Sequence, residues 1–340
     1  MKILAINGGS SSIKCRLDDL HHTPSNPPKP LWQAHIEANE NLEDTLRSMP
    51  GPVDAIAHRI VQGGKYRQPT RIDSDVRAAI AQEAEVAPTH NRFELQAIDT
   101  SQQVFGMDVP QVAIFDTAFH ATLEPPAYVY PGPYQWLDLG IRRYGFHGLS
   151  HQYSSRRAAE LLGNHSLRLI VCHLGNGASV CAIRDGKSVD TTMGFTPLEG
   201  LMMGSRSGSI DPAILIYLIR HRGYSADELD KILNQESGLL GVSGISSDMR
   251  EILKSEDPRA KLAFDIYAHR LCREIGAMAG VLGGADAIVF TGGVGENYPP
   301  LREIVAKRFA FLNVMILVVH AEEEWEIVRE CYFLLKGVSQ

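Results

Sequence analysis

No hydrophobic run in this chain approaches the roughly 20 residues that a helix needs to cross a bilayer. The opening MKILAIN enters strand-forming residues at once, without the apolar h-region and cleavage site of a secretory signal. Positive charge is not in excess: 33 Lys and Arg stand against 40 Asp and Glu, a net charge of -7, with pI near 6.0. That balance argues against a nucleic-acid or anionic-membrane surface. Cysteine is scarce, and the five present (Cys15, Cys172, Cys181, Cys272, Cys331) are odd in number, widely spaced and without a C-x-x-C. They read as buried free thiols of a reducing compartment. The G-x-G-x-x-G dinucleotide fingerprint with its acidic partner, the G-K-[ST] of a Walker A loop and the H-E-x-x-H of zinc enzymes are all missing. The expectation is a cytoplasmic protein whose partners are small molecules.

A chain of 340 residues with 44% hydrophobic and 21% charged content has ample apolar surface, and it exceeds the size at which single cores stop growing. Two domains are therefore expected. The stretch VCHLGNGASVCAIRDGKSVDTT, Val171 to Thr192, reads as strand, Gly-rich turn, strand, turn, strand. Gly175 and Gly177 lack Cβ atoms, so the backbone N–H groups of that turn can converge on an oxyanion. Alone, such a turn is more readily a plain hairpin than an anion site. The N-terminal ILAINGGSSSIKCRL repeats the same grammar half a chain earlier, which points to a duplicated domain with two facing phosphate turns. A third glycine turn, TGGVGENYP, leaves the strand at 287–290. Three such turns without the missing fingerprints imply a nucleotide held between two domains. The fold class is α/β, two duplicated actin-like (ribonuclease H-like) domains with a nucleotide cleft between them.

Further strands are expected at 31–36, 53–58, 109–115 and 314–319, and helices at 41–48, 74–85, 93–105, 259–282 and 321–335. Arg59 leaves a strand end in HRIVQGG, where α/β folds place ligand contacts; a solvated arginine is the alternative. Asp116 follows a strand and is either functional or a helix cap. IRRYGFHGLSH begins a helix through Leu162 in this reading, with His147 and His151 four apart on one face. With no third ligand they read as hydrogen-bonding histidines rather than a metal site. Arg206 stands among small residues in GLMMGSRSGS. Asp211-Pro212 starts a helix, and Ser246 or Ser247 caps another beside Asp248 and Arg250.

The segments NGGSSSIK, HRIVQGG, FDTAFH, RRYGFHGLSH, HLGNGAS, DTTMGFTPLEGLMMGSRSGSIDP, GVSGISSDMR and FTGGVGEN occur in this order. Through them the chain resembles the acetate kinase family, with its propionate and butyrate kinase relatives, along nearly its whole length. The resemblance implies reversible in-line transfer of the ATP γ-phosphoryl group to acetate or propionate, giving acyl phosphate and ADP, with Mg²⁺. It assigns catalysis to Arg59, Asp116, His147 and Arg206, and substrate contacts to Val61, His90, Phe146 and Pro197. Asn7, Ser10, Ser12 and Lys14 match the first phosphate turn, and His173, Gly175, Asn176 and Gly177 the second. Asp248 and Arg250 match the adenosine side, and Gly293, Gly295, Glu296 and Asn297 the nucleoside turn. Asn7 and Glu323, with Glu322 and Glu324 as neighbours, fall at the magnesium position.

The implied domains are 1–147 completed by 321–340, and 148–320, the second forming most of a homodimer contact. Two departures stand out: PTHNR replaces the usual PLHNP, and the segment between FTGGVGENYP and ILVVH is shortened. Two other classes share the fold, an actin- or chaperone-like ATPase module and a catalytically impaired nucleotide-binding homologue. The first would not need Arg59, Arg206 and His147 around a small pocket, and trapping of acyl phosphate separates all three.

Overall fold

The structure, a computed structural model, describes residues 1–9, 12–24, 26–37, 40–83 and 88–338, with 88–92 in backbone only. It opens with β1 (Lys2–Gly8), β2 (Ser12–Asp19), β3 (Trp32–Glu37), α1 (Leu42–Arg47), β4 (Ala55–Ile60), β5 (Thr70–Arg71), α2 (Ser74–Glu83), α3 (Pro88–Phe105) and β6 (Gln111–Phe115). Then come α4 (Pro125–Tyr128), α5 (Gly148–Leu162) and the strands β7 (Arg168–Leu174), β8 (Ala178–Arg184) and β9 (Lys187–Thr191). Five helices follow: α6 (Ala213–Arg222), α7 (Ala226–Gln235), α8 (Gly238–Ser243), α9 (Met249–Lys254) and α10 (Pro258–Leu282). The last elements are β10 (Ala287–Thr291), α11 (Gly292–Asn297), α12 (Pro299–Arg308), β11 (Met315–Val318) and α13 (Glu323–Lys336).

The chain divides into two compact units: Met1–Ala121 with Phe146–Tyr153 and Ala321–Gln340, and Thr122–Gly145 with Ser154–His320. The first holds a sheet of order β3-β2-β1-β4-β6-β5, the second one of order β11-β10-β7-β8-β9. In the first, β3, β2 and β1 pair antiparallel, and β1, β4 and β6 parallel. In the second, β9, β8 and β7 pair antiparallel, and β7, β10 and β11 parallel. The two plans are the same, which is the duplication expected from the paired glycine turns; the two-residue β5 is the first sheet's addition.

Each sheet is built on a strand buried on both faces, and such strands read as continuous apolar runs rather than alternating ones. In β1 every residue from Ile3 to Gly8 is buried. Leu4 and Ile6 join Ile56 of β4, Leu42 and Leu46 of α1 and Ala97 of α3 in one core. The alternate residues Ala5 and Ala57, register partners across β1 and β4, lie on the opposite face. Their small side chains let α13 lie against β1, β4 and β6, with Trp325, Ile327 and Val328 fully buried. In the second unit β10 is buried along its whole length, and α10 packs on β7, β8 and β9.

Two local expectations need correction. His147 lies before α5 with φ +56, in the left-handed region, so it and His151 do not share a helix face. The cap of α9 is Asp248 itself, accepting the Arg250 N–H at 2.8 Å, while Ser246 Oγ accepts the Asp248 N–H at 3.0 Å. A carboxylate one residue on outcompetes the hydroxyl for the helix start. All five cysteines are free and buried. Burial pushes the Cys15 and Cys331 thiols up to about 12. Among the described residues no helix is long and apolar enough to cross a membrane.

Trp325 is the largest wholly buried side chain of α13. Trp325→Ala should lower stability by about 3–5 kcal/mol, read as a reduced urea midpoint. An unchanged midpoint would show that α13 contributes nothing to the first unit.

Candidate active site

Three neighbouring parallel strands of the first unit, β1, β4 and β6, present polar residues at their carboxyl ends, where open α/β sheets hold ligands. These residues are Asn7 near the end of β1, Arg59 near the end of β4, and Asp116 directly after β6. Arg59 donates to Asp116 Oδ2 from Nε at 3.1 Å and from Nη2 at 2.5 Å. Its Nη1 donates to Asn7 Oδ1 at 3.0 Å. Asn7 Nδ2 in turn donates to Glu323 at 3.1 Å and to Glu324 at 2.6 Å, both at the start of α13. The neighbouring Glu322 is taken by Arg16 at 3.0 Å, so the carboxylates reaching Asn7 are Glu323 and Glu324.

Charge in this row is tightly balanced. Burial works against the Arg59 cation, but Asp116 and Glu323 outweigh it and hold the guanidinium above its ordinary pKa. Burial likewise raises Asp116, and Arg59 pulls it back toward the ionised form. Lys14 is half exposed, with its Nζ 4.0 Å from Glu324.

His147 reaches this end of the sheet through its backbone. His120, buried after β6, donates from Nε2 to the Phe146 carbonyl at 3.0 Å, which fixes the chain just before His147. Gly148 starts α5 directly against Asp116: a Cβ there would sit 1.8 Å from the Asp116 carbonyl oxygen. Val61 and Phe146, the apolar residues of this unit expected at the acyl group, are both buried. Ser10 lies outside the described residues, and so do the side chains of His90, Thr89 and Arg92.

In the second unit the β7–β8 turn closes with the Gly175 N–H on the Gly177 carbonyl at 2.9 Å. His173 stands on β7 beside it, paired in register with Thr291 of β10. The turn rests on the Arg206 loop: the Gly204 N–H donates to the Asn176 carbonyl at 3.1 Å. A Cβ on Gly204 would meet Asn176 Oδ1 at 2.1 Å and the Ser247 carbonyl at 2.9 Å. Gly204 is thus where the β7–β8 turn, the Arg206 loop and the segment leading to Asp248 meet.

Backbone bonds from Ser207 to Leu233, Ser237 to Ser205 and Leu239 to Met203 tie the loop to α7 and α8. Arg206 itself donates to the Pro197 carbonyl at 3.2 Å and contacts the Met203 sulfur at 3.8 Å. Among the described residues no carboxylate pairs with it, and burial lowers its pKa. Asp248 and the exposed Arg250 pair with each other.

At the third turn Gly292 takes φ +79 against the end of β7, where a Cβ would be 2.9 Å from the Leu174 carbonyl. Glu296 accepts the Gly292 N–H at 2.9 Å and also meets His320, and Asn297 donates to the Gly293 carbonyl at 2.9 Å. Glu296 and Asn297 thereby shape the turn, and Gly293 has open space at its Cβ position.

A family model described as the acetokinase family matches residues 33–327. The chain belongs to that family. It is 48% identical to an acetate kinase of Gloeobacter violaceus, over 98% of this chain and 99% of the relative. An acetate kinase of Microcystis aeruginosa is 46% identical over 98% of this chain and all of the relative. The crystal structure of Porphyromonas gingivalis acetate kinase superposes with TM-score 0.87 at 34% identity, covering 98% of this chain and 99% of that one. A propionate kinase structure from Francisella tularensis gives TM-score 0.87 at 35% identity, covering 97% and 98%. The G. violaceus alignment runs over 400 positions, more than the 340 residues here, so that relative carries segments without a counterpart in this chain.

Sequence reasoning named Glu324 only as a neighbour of Glu323 and missed His120, Gly148 and Gly204, which hold these side chains and loops in place. Each stood inside a quoted motif or beside a named residue, yet its role depends on a contact distant in sequence. Gly148→Ala places a methyl against backbone that cannot swing aside, so a loss of about 1–3 kcal/mol is expected. Thermal melting checks it, and a wild-type Tm would mean that α5 shifts freely away from Asp116.

Proposed function

We propose that the protein transfers the γ-phosphoryl group reversibly between ATP and a short-chain carboxylate, acetate or propionate, giving ADP and an acyl phosphate. The observation that carries this reading is Arg206: a guanidinium held by its loop, with no carboxylate partner among the described residues, suited to bind an anion. Arg59 is complementary, because Asp116 and Asn7 orient it.

The acceptor carboxylate is already ionised near neutral pH, so no base is needed to activate it. Transfer then depends on alignment and on charge around the equatorial phosphoryl oxygens. Arg59 and Arg206 supply that charge and fix the carboxylate. His147 donates to the phosphoryl group, and Asp116 keeps Arg59 in place. Val61, His90, Phe146 and Pro197 line the acyl group. The backbone turns at Asn7–Lys14 and His173–Gly177 hold the nucleotide phosphates, while Asp248, Arg250 and 293–297 contact the nucleoside.

Among the described residues no three His, Cys, Asp or Glu side chains form a metal cage. Two carboxylates do converge on Asn7, with Arg59 at 3.9 Å from Glu323 and Lys14 at 4.0 Å from Glu324 as their cations. That donor set fits Mg²⁺, which usually takes one or two carboxylates and completes its shell with water and phosphate. Glu323 with Asn7 would hold it, and it would neutralise phosphate charge during transfer.

The protein acts as a homodimer in this reading. Helix α6, AILIYLIRHR, exposes Ile214, Ile216, Tyr217 and Ile219 by 45–50% each, an apolar surface suited to a second copy. Free, buried cysteines support a reducing compartment, the cytoplasm.

Trapping acyl phosphate with hydroxylamine, in the presence of ATP and acetate or propionate, tests the activity. Arg59→Ala and Arg206→Ala should each lower kcat about 10³-fold; near wild-type turnover in either would sink its role. Chelation with EDTA should abolish product, and added Mg²⁺ should restore it. For the assembly, Ile216→Asp should halve the mass measured by light scattering, whereas an unchanged mass would place the contact elsewhere.

A further inference from the structure

Glu94 lies on α3, only 2% exposed, and appears in none of the roles above. Its Oε1 accepts the Val61 N–H at 2.9 Å, just beyond β4. Its Oε2 is buried and has no hydrogen-bond partner among the described residues. The nearby cation, Arg59, already donates from Nε and Nη2 to Asp116 and from Nη1 to Asn7. A buried carboxylate anion with one N–H donor and no cation of its own is strongly disfavoured, whereas a neutral carboxylic acid is tolerated. Val61 is itself buried and sits two residues after Arg59.

Resting on the carboxylate-kinase reading, we propose that Glu94 is a positioning residue that works as the neutral acid: it anchors the Val61 backbone in the acyl pocket and keeps a further negative charge away from the Arg59–Asp116 pair. The charged groups facing it are Arg59 on β4 and Asp116 after β6, with Glu323 of α13 acting on both of those. His90 and Arg92, on its own helix, have side chains outside the described residues. Burial raises Glu94, opposed by the Val61 N–H and Arg59 and reinforced by Asp116, to about 8.

The sign of the pH effect follows. With the folded value above the ordinary value of 4.5, the folded protein binds the proton more tightly than the unfolded chain. Stability therefore falls as pH rises from that value toward about 8, and further rise deprotonates Glu94 in the folded protein. Ionisation sets two carboxylates against one arginine and alters the pocket that receives a third.

The test compares wild type with Glu94→Gln, which keeps an acceptor for the Val61 N–H and carries no charge. At pH 7 the variant should keep kcat and KM for the carboxylate within about threefold, and its kcat/KM should lack the alkaline fall that wild type shows near pH 8. Independently of turnover, infrared spectra of wild type at pH 7 should contain a protonated-carboxyl band that is lost in the variant and that fades as pH passes about 8. An alkaline limb unchanged by Glu94→Gln, or no such band in folded wild type, overturns the proposal. The band with no product from any short acid would instead count against the kinase reading alone.

Discussion

The contact between Arg59 and Asp116 is the constraint on which the first unit's polar site depends. Neither group is stable in that position without the other, because a buried charge deprived of its partner is strongly destabilising. Their pairing requires β4 and β6 to lie side by side in parallel, with Arg59 in register with Ile114 two residues before Asp116. It also requires α5 to begin close against Asp116, which only Gly148 permits. Asn7 extends the row to β1, and the glutamates of α13 close it. A segment from the far end of the sequence thus supplies the acid that an N-terminal strand requires.

Two sheets of one plan carry different chemistry. In the first, the strand ends bear side chains that exchange hydrogen bonds: Asn7, Arg59, Asp116. In the second, the corresponding ends lead into glycine turns with partly exposed backbone, at Gly175–Gly177 and at Gly293. In the proposed kinase reading the side-chain row serves the reacting group, and the turns, including Asn7–Lys14 of the first unit, serve the nucleotide phosphates. Charge must be placed with side-chain accuracy around the reacting group, whereas phosphates of a nucleotide are held well by N–H groups of tight turns. Arg206 is the exception in the second unit, and its loop is correspondingly tied down by bonds to α7 and α8.

The architecture was legible because it is written in local chemistry. Apolar runs gave the buried strands, and the repeated Gly-rich turns gave the duplication. Arg59 and Asp116 were legible as residues at strand ends, although their pairing was not. What escaped depends on contacts between distant segments: Glu94 against Val61, His120 against the Phe146 carbonyl, and Arg16 withdrawing Glu322 from the carboxylates near Asn7. His147 was misplaced because helical spacing continues smoothly through FHGLSH, while the backbone departs from the helix at that one residue. The α9 cap was assigned to a serine because hydroxyl and carboxylate both suit a helix start, and sequence alone does not rank neighbours.

The burial of all five cysteines has a practical meaning. Cys15 and Cys331 belong to the first unit, and Cys172, Cys181 and Cys272 to the second. A thiol that is both enclosed and held far from its reactive thiolate form reacts only when the surrounding structure opens. The rate at which each is alkylated is therefore a clock for its own unit, and mapping the labelled peptides over time would report separately how often each half of the molecule breathes.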